Sequence, residues 1–233
     1  MNKQVIVEKI ENFAPLELAE DWDCSGWLVN IAKDEVNKIM LALTVTDEVI
    51  KQAEKNNCDM IISHHPLFYI PLEYKNINIY CAHTNLDRAQ GGTTDTLIDV
   101  LGLSKYKTGK DNLSFLRYVD CKYSVDGFAG LLSKVSPNLR YVNNKNISLI
   151  KRIAFCAGSG SEFIQEAYEN GADAFVTGDL KFHTAIESPI AVFDIGHFES
   201  EIPVLNVLKH ILSEENVIFS EEKSPFIQKN IDN

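Results

Sequence analysis

The sequence contains no C-x-x-C pair. Its five cysteines, Cys24, Cys58, Cys81, Cys121 and Cys156, are odd in number and scattered along the chain. That argues against a zinc knuckle or a dithiol redox motif, and dispersed thiols of this kind fit buried free cysteines in a reducing compartment. Long apolar runs are missing too, since none approaches the ~20 residues of a membrane-spanning helix. The opening stretch Met1-Asn2-Lys3-Gln4-Val5-Ile6-Val7-Glu8-Lys9-Ile10 carries charges where a signal peptide would have its apolar centre. The expectation is a cytoplasmic protein with no membrane partner. Basic side chains are in deficit, with 22 Lys and Arg against 33 Asp and Glu and a net charge of −11. This balance argues against a general nucleic-acid binder, which neutralises phosphates with Lys and Arg. A small anionic substrate stays open, because a bound dication or one basic pocket reverses the local field. There is no low-complexity tract and no linker rich in Pro, Gly or Ser.

What is present is a chain of 233 residues, 45% hydrophobic, long enough for one large domain or two small ones. Apolar spacing over residues 4–13 (Val5, Ile6, Ile10, Phe13) predicts a helix that ends at Pro15. Strands are expected over 38–45, 59–63 and 77–82, with a helix over 47–56 and another from Gly91-Gly92 to about Leu101. After a polar joint at 105–112 the pattern resumes with a strand over 115–124 and a helix over 125–135. Strands over 139–142 and 147–156 flank a turn at Asn143-Asn144-Lys145-Asn146. A helix opening at Gly158 and running to Glu169, strands over 172–177 and 190–195, a short helix over 181–186, a helix over 198–213 and a strand over 217–220 complete the chain. Alternation of this kind means α/β layers. The division is expected near 105–125, giving an N-terminal α/β domain over 1–124 and a C-terminal one over 125–233.

Three segments carry potential ligands, and each follows an expected strand, where sites form in open α/β sheets. The first is Ser63-His64-His65-Pro66. Neighbouring side chains of a regular strand point to opposite faces, so both imidazoles can address one site only where the strand has ended, as Pro66 requires. The alternative is a pair of polar residues at a strand end. The second segment holds His83 and Asp87. A carboxylate among imidazoles can bridge two cations, although Asp87 can equally cap the turn before Gly91-Gly92. The third is Gly196-His197-Phe198-Glu199-Ser200-Glu201. His197 and Glu201 are four apart and share a helix face, a spacing common in helical metal sites, while a carboxylate at a helix start also interacts favourably with the helix dipole. The combined donor set is nitrogen and oxygen without thiolate, which suits Zn, Fe, Mn, Co or Ni. It is larger than one catalytic ion needs, pointing to two. Gly158-Ser159-Gly160-Ser161 reads either as a phosphate cradle or as a tight turn with a serine cap. Lys181 and His183 follow another strand and read as acid/base or anion contacts, or as ordinary first-turn residues.

The order Asp21-Trp22-Asp23-x-x-Gly26, Ser63-His64-His65-Pro66-Leu67-Phe68, His83-Thr84-Asn85-Leu86-Asp87 with Gly91-Gly92, Thr177-Gly178-Asp179-Leu180-Lys181-Phe182-His183 and Gly196-His197-x-x-Ser200-Glu201 resembles the NGG-interacting-factor-like family. Its members are catalogued as dinuclear-metal hexameric proteins and as GTP cyclohydrolase 1 type 2 homologs. The resemblance implies two α/β domains of layered helices and sheets, a dinuclear metal site at the domain interface and a toroidal homohexamer. It implies His64, His65, Asp87, His197 and Glu201 as ligands, with Asp87 bridging. His83 and His183 become pocket residues and candidates for proton transfer. The chain departs from the family at Cys24, where Asn is usual, and at Asn30, where Gly is usual; neither is a ligand position. It also lacks the domain that longer members insert between the halves.

The function implied is metal-dependent hydrolysis of a small nucleotide-like substrate, in the specific form of opening the guanine imidazole ring with release of formate. The alternative is a non-enzymatic metal-binding or regulatory interaction protein. A hydrolase needs exchangeable water on its metals, whereas a storage or structural site can be closed.

Overall fold

A computed structural model describes residues 1–109 and 114–227, so residues 110–112 of the expected polar joint lie outside the described residues. In chain order the elements are α1 (Lys3–Phe13), β1 (Gly26–Val29), β2 (Ile39–Ala42), α2 (Asp47–Lys55), β3 (Met60–Ser63), β4 (Asn78–Cys81), α3 (Thr84–Arg88) and α4 (Thr93–Val100). They continue with β5 (Lys107–Thr108), β6 (Arg117–Ser124), α5 (Val125–Leu132), β7 (Arg140–Val142), β8 (Leu149–Phe155), α6 (Ile164–Glu169) and β9 (Ala174–Thr177). The last are α7 (Phe182–Glu187), β10 (Ala191–Asp194), α8 (His197–Glu201), α9 (Leu205–Ile211) and β11 (Val217–Phe219). The fold is mixed α/β with two sheets, as expected. No helix among the described residues is long and apolar enough to cross a membrane.

The chain forms two compact units, one of Met1–Gly92 with Val204–Glu222, the other of Thr93–Pro203 with the residues from Lys223. The boundaries of these units lie after Gly92, Pro203 and Glu222, and β6 belongs with the second unit. The reason is pairing: β6 runs antiparallel to β8 from Arg117↔Phe155 to Ser124↔Leu149, so a cut after 124 would sever a strand from its neighbour.

In the first unit the sheet order is β1-β4-β3-β2-β11. β11, β2, β3 and β4 are parallel and β1 is an antiparallel edge. Every residue of β2, β3 and β4 is buried, which is why these segments read as unbroken apolar runs without alternation. Met40, Ala42, Ile61 and Ile79 pack with Val49, Ile50 and Ala53 of α2. α9 packs on β2 and against α1. α2 is capped by Thr46, whose hydroxyl accepts from the Val49 amide, with Asp47 and Glu48 in the first turn.

In the second unit the order is β5-β6-β8-β9-β10-β7, with β8, β9 and β10 parallel. Phe128 of α5 lies edge-on to both Phe155 of β8 and Phe193 of β10, and anchors the core on that face. The turn at 143–146 does not close a hairpin, because β7 pairs with β10 instead of β8. The Asn144 side-chain amide donates to the carbonyls of Ala185, Ile186 and Ser188 at the end of α7, which ties the turn there. The expected helix over 198–213 is broken into α8, a 3-10 turn at Ile202–Val204 and α9. Pro203 has no N–H to continue the ladder.

Gly92 approaches α3 closely. A Cβ on Gly92 would stand 1.8 Å from the Leu86 carbonyl oxygen, a backbone atom that cannot swing away. Gly92→Ala is expected to destabilise the protein by about 1–3 kcal/mol through overpacking. Urea denaturation checks this, and an unchanged midpoint would show that α3 can shift.

Candidate metal-binding site

In the first unit the ladder between β2 and β3 continues one step past each strand: the His64 amide donates to Ala42 (3.1 Å) and the His65 amide to Leu43 (2.8 Å). Pro66 then stops it. The two imidazoles do not diverge, their centroids being 5.1 Å apart with planes 40° from one another. His64 is fully buried. Its Nδ1 lies 2.9 Å from the Ala82 carbonyl, which can only accept, so Nδ1 carries a proton and Nε2 is the nitrogen left to address a ligand. Nε2 faces Asp87 Oδ1 at 3.5 Å. His65 Nδ1 is 2.6 Å from Thr44 Oγ1. His83, at the end of β4, brings its ring to 5.3 Å from that of His64 and 5.9 Å from that of His65. One donor atom each of His64, His83 and Asp87 lie within 4.8 Å of one another, close enough to share an ion. His83, expected as a pocket residue, thus stands among the possible ligands.

Asp23 is the residue that motif reading left without a role. Its side chain is fully buried and accepts from His83 Nδ1 (2.8 Å), the Thr84 amide (3.1 Å) and hydroxyl, the Ser25 hydroxyl and the Cys24 amide (2.7 Å). Burial raises its pKa, but the His83, Ser25 and Thr84 hydrogen bonds outweigh it and hold the carboxyl well below the ordinary 3.8. The stability Asp23 contributes is therefore present above that ordinary value and is lost as pH falls below it. Only its place between two tryptophans and three residues before Gly26 hinted at this in the sequence.

In the second unit β10 delivers Gly196 and His197, and α8 puts Glu201 one turn on. His197 Nδ1 is 2.7 Å from Asp179 Oδ2, and Nε2 is 2.9 Å from Glu201 Oε2. Asp179, just after β9, has φ +54, a conformation held where its carboxylate meets the ring. Glu201 is buried. Burial lowers the His197 pKa, yet Glu201 and Asp179 outweigh it and raise the pKa to about 9. Without an ion the ring is therefore a cation clasped between carboxylates, and a metal on Nε2 must displace that proton.

The Gly158–Ser161 turn spends two of its amides inside the protein. Its Gly158 amide is spent on Ser200 Oγ (2.8 Å) and its Gly160 amide on Thr177 Oγ1 (2.9 Å). Gly158 sits at φ +69, and a Cβ there would lie 2.1 Å from Glu201 Oε1, so glycine leaves room for the carboxylate. His183 is exposed on α7 with its ring edge-on to Phe182, and among the described residues no His, Cys, Asp and Glu group able to hold an ion includes it.

Fold and donors together define a mixed α/β protein with buried imidazole–carboxylate clusters suited to divalent cations. The chain belongs to the Duf34/NIF3 (NGG1p interacting factor 3) family, whose model matches residues 1–225. It is 34% identical to a Clostridium perfringens protein named GTP cyclohydrolase 1 type 2 homolog, over 95% of this chain and 97% of that one. Among solved structures it is similar to reduced HcgD from Methanocaldococcus jannaschii (30% identity, TM-score 0.80, 94% and 97% of the two chains). It is also similar to the Staphylococcus aureus hypothetical protein SA1388 (25% identity, TM-score 0.83, 98% and 99%).

Two outcomes are expected. Asp23→Ala leaves several buried donors without their acceptor and costs about 3 kcal/mol in denaturant unfolding; a loss near zero would mean water replaces the carboxylate. In the ion-free protein, NMR titration of His197 gives a pKa of about 9, and Asp179→Asn lowers it. Because this pKa is raised from 6.5, the stability it contributes is complete below 6.5 and is lost as pH rises through 9.

Proposed function

We propose that this chain is a metal-dependent hydrolase in which His64, His65, Asp87, His197 and Glu201 would hold two divalent cations. One observation carries the reading. In each unit an imidazole has Nδ1 committed to an internal acceptor while Nε2 faces a carboxylate: His64 between Ala82 and Asp87, His197 between Asp179 and Glu201. Backing of this kind fixes the tautomer and orientation that a metal ligand needs. The donors, nitrogen and oxygen only, fit Zn, Fe, Mn, Co or Ni.

Two such ions, when bound, lower the pKa of a water and polarise the bond under attack. The chain supplies the proton transfer. His83 keeps Nδ1 on Asp23, so Nε2 is the atom that takes and returns a proton, and the Asp23 carboxylate stabilises the charged ring. Asp87 offsets the charge of the cations. Trp22 is largely exposed and lies edge-on to His83 at 6.3 Å, offering a ring face beside the cluster to a planar heterocycle. The name of the relatives makes hydrolytic opening of the guanine imidazole ring of GTP, with formate release, the first reaction to assay. Family membership further supports a cytoplasmic homohexamer.

Elemental analysis of the unchelated protein is expected to find about two ions per chain, and a His64→Ala/His197→Ala variant to lose them. No metal after reloading with Zn, Mn or Fe would sink the reading. His83→Ala is expected to keep its metal and lose roughly 10²–10⁴ in turnover. Loss of metal instead would make His83 a ligand.

A further inference from the structure

We infer that Thr44 and Glu222 position His65, which makes the segment after β11 part of the metal centre. β11 runs parallel to β2, and their ladder ends where the Ser220 amide donates to Leu41 (2.9 Å). The Glu222 carboxylate takes over, one oxygen accepting from the Leu43 amide (2.7 Å) and the other from the Thr44 amide (2.8 Å). The Ser220 hydroxyl also donates to it. The Leu43 peptide is thus gripped from two sides, because its carbonyl accepts the His65 amide (2.8 Å). Thr44, fixed through its own amide, presents Oγ1 at 2.6 Å from His65 Nδ1. When Nε2 addresses an ion, Nδ1 carries the proton and donates to this hydroxyl. A residue 157 positions along the chain from His65 in the sequence therefore sets the peptide that sets the ring.

The geometry gives each atom one task. Both carboxylate oxygens of Glu222 are used as acceptors from successive amides, so glutamine, which would turn an NH₂ toward one of them, cannot substitute. The hydroxyl of Thr44 is used as an acceptor from the ring, so valine keeps the shape and removes the contact. Serine keeps the contact and removes only a methyl.

The inference rests on His65 being a ligand, and the test separates the two claims. Metal affinity is measured by competition with a chromophoric chelator for the parent, Thr44→Val, Thr44→Ser and Glu222→Gln, using Zn²⁺ and Co²⁺. The visible spectrum of the Co²⁺ form reports ligand geometry. Thr44→Val is expected to bind ~10–100-fold more weakly, the usual loss when the partner of a ligating imidazole is removed. Its Co²⁺ spectrum should change, Thr44→Ser should restore both readouts, and Glu222→Gln should shift both in the direction of Thr44→Val. A merely structural role would lower thermal stability and leave the spectrum of the metal-bound protein unaltered, which overturns the inference. Affinity and spectrum in Thr44→Val equal to those of a metal-binding parent also overturn it while the ligand reading stands. A parent that binds no ion removes the ligand reading and the inference with it.

Discussion

The clusters depend on one constraint: each of the imidazoles of His64, His65, His83 and His197 has its Nδ1 already engaged inside its own unit. His64 is held by the Ala82 carbonyl, His65 by Thr44, His83 by Asp23 and His197 by Asp179. A histidine on a free side chain rotates about two bonds and presents either nitrogen. These four are denied that freedom before any ion arrives, so the ordering cost of binding is met by folding. The acceptors differ in kind, which matters chemically. A carbonyl can only accept and so places a proton on the nitrogen facing it, a hydroxyl holds the ring while donating or accepting, and Asp23 and Asp179 also stabilise a charged ring.

The acceptors can do this because the strands beneath them are packed on both faces. β2, β3 and β4 in one unit and β9 and β10 in the other are four residues long and wholly buried. Each ends where a ligand or its partner begins. Close packing on both faces of such strands leaves no slack for a register change, which would turn every side chain to the other face. The cost appears as local crowding and strain: Gly158 has no room for a side chain beside Glu201, and Asp179 adopts a left-handed backbone.

Much of this was legible in the sequence because strand ends, ligand types and glycine turns are local. The apolar runs located β2, β3, β4, β9 and β10 to within about three residues, and the histidines after them marked the clusters. Long-range pairing was not legible. β7 joins β10 across the sheet, the unit boundaries lie after Gly92, Pro203 and Glu222, and the Gly158 turn serves Glu201 by steric accommodation. None of these follows from neighbouring residues. Asp23 was visible only as part of a motif, since its partners His83 and Thr84 lie about sixty positions away, and Glu222 gave no signal because its partners are backbone amides of a distant strand end.

The central claim is that these backed imidazoles and carboxylates, not the cysteines, hold the cations. X-ray absorption spectroscopy of the zinc- or iron-loaded protein tests it most directly. The account predicts nitrogen and oxygen scatterers at about 2.0–2.2 Å, with the outer-shell signature of imidazole and no sulfur. A sulfur shell near ~2.3 Å, or a first shell without imidazole, would contradict it.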